Sequence, residues 1–340
     1  MKKILLAAFM FLNTAWQMQV HAQLVDRVKF FDNDTILDVK LTADINKLAR
    51  TSAKPVYMPA TFSCSIADSV IREQVQIIPR GNMRRQICSV PPVKVNFKNT
   101  TSPTLSPLGS LKLVYGCSQN PNADQWVLKE YVVYKIYNLL TEKSFHVRLL
   151  NFTYEDEKAK RKPLMQHAFF IEDDKALAKR NGCVKLKQDK LRAEVADRNQ
   201  MTLVALFEYM IGNTDWSVPG KHNTTLIQTE GDGTARPFVV PYDFDYSGLV
   251  DADYATPTEG IDIPNVRQRY YLGYDRTPDE LNDAIKIFNA QKENIYSLIN
   301  NFDLINDKNR KQMTTYLDDF YKTINNSKLV KYVFINNARK

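Results

Sequence analysis

The segment that most restricts the fold is "NADQWVLKEYVVYKIYNLLTE", residues 122–142. Its apolar residues fall on nearly every side of a helix, and such a helix is stable only when neighbours cover it all round. Those neighbours must come from the flanking chain. Upstream, "KPVYMPATFSCSI", "EQVQIIPRG", "PPVKVNFKN" and "LKLVYGC" are short runs rich in β-branched and aromatic residues, broken by Pro, Gly, Asn and Ser. They predict strands between about 55 and 117. Downstream, "SFHVRLLNFTYED" and "QHAFFIEDD" predict two more strands, joined by a basic loop at 157–163. A Pro-free apolar helix among strands gives the first half an α+β character, and Asn122 or Asp124 is its expected cap.

The second half has a different texture. "DKLRAEVADRNQMTLVALFEYMIGN" carries apolar residues at 191, 195, 203, 206, 207, 210 and 211, the spacing of an amphipathic helix. The loop "TDWSVPGKHN" follows, then a strand pair, "TTLIQTEGDGTARPFVVPYDFD", turning at Gly231-Asp232-Gly233. After a Pro-containing loop region to about 275, helices are expected near 278–300 and 306–325. A polar stretch at 172–190 separates the halves and reads as a hinge. No internal repeat or low-complexity linker interrupts the chain. The expected organisation is therefore two-lobed, with a β-rich lobe over 23–175 holding one buried helix and a helix-rich lobe over 176–340.

Residues 1–22 read as a secretory signal peptide. Lys2 and Lys3 precede an apolar stretch from Ile4 to Leu12, and Val20-His21-Ala22 forms a small-residue cleavage site. The apolar stretch is too short to span a membrane, and Gln23 stands where a lipid-anchored protein would have Cys. The mature chain is expected to lack a transmembrane segment and to be exported, to the periplasm or the exterior. The four cysteines, Cys64, Cys88, Cys117 and Cys183, show no Cys-x-x-Cys spacing. In an exported chain they favour disulfides over zinc, with Cys88–Cys117 as the preferred pair. The net charge of +8 suits anionic ligands. The basic runs at 158–162 and 175–192 come without a nucleic-acid-binding motif, so a nucleic-acid partner is not expected.

Three polar groups carry the functional signal. "RGNMRRQICSVPPVKVNF" brings Lys94 on a strand, and Lys112 lies on a later one. "GNTDWSVPGKHN" brings Asn213, Asp215, His222 and Asn223. "VVPYDFDYSG" ends a strand-like run in Asp243 and Asp245, with Gly248 behind them. Two carboxylates so close repel each other unless a cation sits between them. Phosphoryl transfer needs this inventory: a lysine on the phosphates, an Asp orienting the attacking hydroxyl, and an Asn and an Asp on the metal. Glu130, on the apolar helix, is a candidate partner for the lysine. Their bland alternatives are a surface lysine at 94, a turn-shaping Asp at 215 and solvated carboxylates at a hairpin end.

In their order these pieces resemble the secreted, protein-kinase-like proteins of the CotH type, named from spore coats. The similarity runs over about residues 75–250, through "RGN" and the lysine strand, then "NTDWSVPGKHN", then "PYDFDYSG". It implies a two-lobed protein-kinase-like fold and an ATP-dependent phosphotransferase using Mg²⁺ or Mn²⁺, with a protein or cell-surface molecule as acceptor. Lys94 would contact the nucleotide phosphates with Glu130 as its partner. Asp215 would be the catalytic aspartate, Asn223 a metal-side ligand, and Asp243 or Asp245 the metal-binding carboxylate. The sequence departs from that pattern at Met83-Arg84-Arg85 after "RGN", at the single Lys94, at the longer Asp215–Asn223 spacing and at Trp216. These departures favour a second reading, an inactive pseudokinase or cell-envelope binding protein.

Overall fold

Alternating burial along the first strand decides the architecture. β1 (Leu37–Ala43) turns Leu37, Val39, Leu41 and Ala43 inward while Asp38 and Lys40 face solvent. This period-two pattern is that of a strand covered on one face. β1 pairs antiparallel with β2 (Met58–Ile66) and parallel with β6 (Val147–Asp156), so both of its edges are used. With β3 (Ser69–Pro79), β4 (Val93–Asn96), β5 (Ser110–Tyr115) and β7 (Leu164–Ile171) the strands close into a barrel in the order β1-β2-β3-β4-β5-β7-β6. The computed structural model describes residues 29–51, 54–66, 69–81, 88, 90–116, 121–187 and 191–340.

The expected two-lobed kinase-like fold is not what forms. In its place stand a closed seven-stranded barrel, a separate three-stranded sheet and helices. The reason is β1, which lies outside the predicted strand region and joins β2 to β6. Closure removes the open edges that a sheet would otherwise present to other chains.

The chain divides into two compact units. The first comprises residues 1–113, 148–165 and 170–176, the second 114–147, 166–169 and 177–340. In the first, Phe62, Phe97 and Phe170 pack edge-on or tilted at 4.9–6.2 Å between ring centroids, the geometry aromatic rings prefer. The short helix α1 (Ile45–Thr51) follows β1, and the Asp156 carboxylate accepts from its first backbone amide at 3.1 Å. In the basic loop, Lys158 pairs with Asp44.

The second unit is built around the apolar helix, α2 (Pro121–Leu140), buried over most of its length as its composition requires. Asp124 does not cap it: its carboxylate takes the His167 backbone amide and pairs with His167 Nδ1 at 2.8 Å. The polar stretch read as a hinge contains α3 (Asp174–Arg180) and β8 (Cys183–Lys185). The next helix, α4 (Arg198–Ile211), starts later than periodicity suggests, at the Asp197 cap, whose side chain accepts from Gln200 N. Residues 193–195 form a separate 3₁₀ turn. α4 is also buried from Gln200 to Ile211 rather than along one stripe. The predicted hairpin forms as β9 (Thr224–Thr229) and β10 (Phe238–Pro241), with β8 on the other side of β9.

Both tail helices form, α5 (Pro278–Asn300) behind a Thr277–Glu280 capping box and α6 (Asp307–Ile324) behind Asn306. A short turn, α7 (Ser327–Val330), and a π-helical segment (Lys331–Asn336) follow. Among the described residues no helix is long and apolar enough to cross a membrane. Cys64 and Cys183 are buried free thiols, and Cys88 is disulfide-bonded. Cys117, the leader 1–22 and the Met83-Arg84-Arg85 segment lie outside the described residues.

Candidate functional site

α4 ends at Gly212, whose left-handed backbone (φ 70°) turns the chain sharply. Asn213 follows, buried, its amide returning to Glu208 O at 2.8 Å. Its side-chain Oδ1 then accepts the Asp215 amide at 3.0 Å, a local turn of the kind Asn favours. Asp215 is thus a turn residue, and more. Its carboxylate meets His222 Nε2 at 2.8 Å and Asn223 Nδ2 at 2.9 Å, while Asn223 Nδ2 also donates to the Asp215 carbonyl at 2.7 Å.

The long Asp215–Asn223 spacing has a structural cause. Ser217 and His222 exchange both backbone hydrogen bonds at 2.9 Å, so the intervening residues fold into a small closed loop. Asn223 is thereby returned to Asp215. It has φ 51°, and Asp243 has φ 68°, a left-handed conformation that costs a non-glycine residue about 1 kcal/mol. The two strained residues share one end of the hairpin: Tyr242 N bonds Asn223 O at 2.9 Å, one step beyond the Pro241–Thr224 pair.

β10 stops at Pro241, so both acids lie in the loop beyond the strand. Fully buried Phe244 separates them, its ring 4.7 Å from Tyr134 and 5.4 Å from Phe207. Asp245 is buried, and one of its oxygens accepts from the Tyr254 hydroxyl at 3.0 Å. Asp243 is half-exposed; its amide donates to the Tyr134 hydroxyl at 2.8 Å, and its carboxylate has no partner among the described residues. Asn223 Oδ1 likewise receives no hydrogen bond there. The loop is tied back by Gly248 N to Gly212 O at 3.1 Å and Leu249 N to Ile211 O at 2.9 Å.

Among the described residues no group of three or more His, Cys, Asp and Glu is arranged to hold a metal ion. An all-acid cage of Asp243, Asp245 and a third carboxylate is therefore not built. Asn223 and Asp243 instead offer one amide oxygen and one carboxylate, a hard-ligand set that fits Mg²⁺ or Mn²⁺ held mainly by water and phosphate oxygens.

The remaining candidates lie elsewhere. Lys94 is on β4 in the first unit, half-buried and directly opposite Lys112 on β5. Glu130 is buried on α2 in the second unit. Beside it stands Lys129, which sequence reading missed. Burial, opposed by the Asp251 charge and reinforced by Arg267, pushes its amine down to about 8. Glu208 was also missed. It is buried in α4, where burial drives its carboxyl well up; the Asn213 side chain opposes that shift and the Asp215 charge adds to it. The only signal was one acid inside "VALFEYMIG". No protein-family model matches the chain, and no curated protein is significantly similar to it.

Proposed function

We propose that the chain is an exported phosphotransferase that uses ATP with Mg²⁺ or Mn²⁺ and acts on a protein or cell-surface acceptor. The observation that carries this reading is Asp243: a half-exposed carboxylate without a partner among the described residues, on a backbone fixed in a strained conformation beside Asn223. Strain of this kind persists where a site needs it. Asp243 and Asn223 are the metal-side groups. Asp215, fixed by Asn213, His222 and Asn223, orients the acceptor hydroxyl. The phosphate role that the resemblance to CotH-type proteins gave Lys94, and its pairing with Glu130, are not carried into this reading, because the two residues belong to different compact units. Asp245, buried on Tyr254, supports the loop and is the weaker candidate for the metal. Catalysis of this type is mostly positioning and charge neutralisation.

Thermal unfolding with ATP and Mn²⁺, alone and together, tests the reading. A ligand of the folded state present at about 100 times its Kd adds about 2.7 kcal/mol. The expected result is a joint shift that disappears in Asp243→Ala. No shift with any nucleotide–metal pair would overturn it. That outcome would favour the second reading, an inactive pseudokinase or cell-envelope binding protein.

A further inference from the structure

One end of the seven-stranded barrel holds a cavity of about 420 Å³. At this end β1 and β6 begin and β2 finishes: Leu37 pairs with Leu150, two residues past Arg148, and the Val39–Cys64 pair sets Ile66 opposite Leu37. Phe30, Leu37, Ile66 and Pro103 give the cavity an apolar wall. Phe30 is held by the barrel's own core, its ring 5.2 Å from Phe31 and 6.5 Å from Phe170. The mouth of a small barrel is a usual place for a ligand, and this volume lies within the range of small-molecule sites.

Two cations share that wall, Lys29 and Arg148, and among the described residues no acid does. Asp32 and Asp34 are near in sequence but exposed and off the wall. Arg148 has 7% of its surface exposed. Its Nη1 donates to the Phe30 carbonyl at 3.1 Å and to the Asn33 carbonyl, and its guanidinium lies 5.7 Å from the Phe30 ring centroid. Those two carbonyls require a donor but not a charge. A buried arginine is uncommon and costly to desolvate, and tying residues 30–33 to the barrel does not account for it.

We propose that the barrel mouth binds a small amphiphilic carboxylate, its apolar body against Phe30, Leu37, Ile66 and Pro103 and its head on Arg148 and Lys29. Burial of the apolar body supplies the driving force. Arg148 selects the head, because a planar guanidinium matches a carboxylate and its position is already fixed by the two carbonyls. Lys29, exposed at the rim, contributes less. The site lies in the first unit and uses none of the residues around Asp215 and Asp243, so it is independent of the phosphotransferase reading.

The test is calorimetric titration of the full chain with sodium octanoate, with 1-octanol as the uncharged body and acetate as the bare head. Octanoate should bind with a Kd below about 1 mM, and both comparators should bind about tenfold more weakly or worse. Arg148→Gln keeps a donor for the two carbonyls and removes the charge. It should weaken octanoate about tenfold or more and leave octanol unchanged. Thr104→Trp, at a half-buried position on the wall, should fill the mouth and abolish binding, which keeps the proposal testable should Arg148→Gln fail to fold. A wild type without saturable octanoate binding would overturn the proposal. So would octanol binding as tightly as octanoate, or either variant, once shown to be folded, binding octanoate like the wild type.

Discussion

Replacing Gly248 with Ala should be the most damaging small substitution near the site. Gly248 is where the Asp243–Asp245 loop is tied to the end of α4, its amide donating to Gly212 O at 3.1 Å. A methyl group there would lie 2.6 Å from the Tyr316 hydroxyl and 3.0 Å from Arg267 Cα, and closer still to the Val266 carbonyl oxygen. Overpacking costs about 1–3 kcal/mol. Because the obstacle is backbone, which cannot swing aside, we expect the upper end, about 3 kcal/mol. At about 2–4 °C per kcal/mol, that lowers Tm by roughly 6–12 °C. Gly233→Ala is the control: its added methyl meets nothing within 4 Å, so it should be neutral or slightly stabilising. Gly212→Ala separates the causes, since its methyl would overlap the Tyr316 hydroxyl. Tyr316→Phe should therefore recover a larger share of the loss in Gly212→Ala than in Gly248→Ala, where the Val266 carbonyl still stands in the way. Chemical denaturation followed by circular dichroism reads the wild type and all of these variants. A Gly248→Ala variant within about 0.5 kcal/mol of wild type would refute the account of how the two loops are clasped.

Two further predictions follow from particular side chains. Asp243→Gly removes a strained left-handed residue and should stabilise the chain by about 1 kcal/mol while abolishing the metal–nucleotide response; Asp245→Ala, which breaks the buried contact to Tyr254, should destabilise it. Paired melting curves check both signs. His146 has its pKa pushed down to about 4 by burial first, then by the Arg180 and Lys135 charges. Its folded pKa lies below its unfolded value of 6.5, so its contribution is fully present above that pH and is lost as pH falls towards about 4. The loss is of order 3 kcal/mol. Subtracting the stability–pH curve of His146→Phe from that of wild type should reveal this slope, and a flat difference between pH 4 and 6.5 would contradict it.

Much of the local structure was legible, and for stated reasons. The hairpin at 224–241 announced itself through two β-branched runs around a Gly-rich turn, and α5 through its capping box and apolar stripe. β1 was missed although "LDVKLTA" alternates cleanly, because it is short and carries charges at 38 and 40. What no local pattern contains is its parallel pairing with β6, more than a hundred residues away, and that pairing closes the barrel. Asp215 and Asn223 were legible as a motif, and their contact exists. Asp243 and Asp245 stood as alternatives, and the sequence does not record that one would take a left-handed backbone while the other would accept from the Tyr254 hydroxyl. Glu208 was hidden by its apolar neighbours.

The pattern of violated rules is itself informative. The helix ends of the second unit follow local preference closely: Asp197, Thr277 and Asn306 cap their helices, and Gly212 ends α4 with the backbone only glycine adopts freely. Around the end of the β9–β10 ladder those preferences are broken together. Asn223 and Asp243 are left-handed where glycine would be cheaper, the Asp243 carboxylate has no described partner, and Glu208 is a fully buried acid. Each left-handed residue costs on the order of 1 kcal/mol, a sizeable share of a typical folding free energy. The unit holds other left-handed non-glycine residues, Lys221 and Asp251; what sets the ladder end apart is that one such residue there, Asp243, carries a carboxylate with no partner among the described residues. The two carboxylates of "PYDFDYSG" fit that view without a shared cation: Phe244 keeps them apart, one serving the fold and the other left open to a ligand.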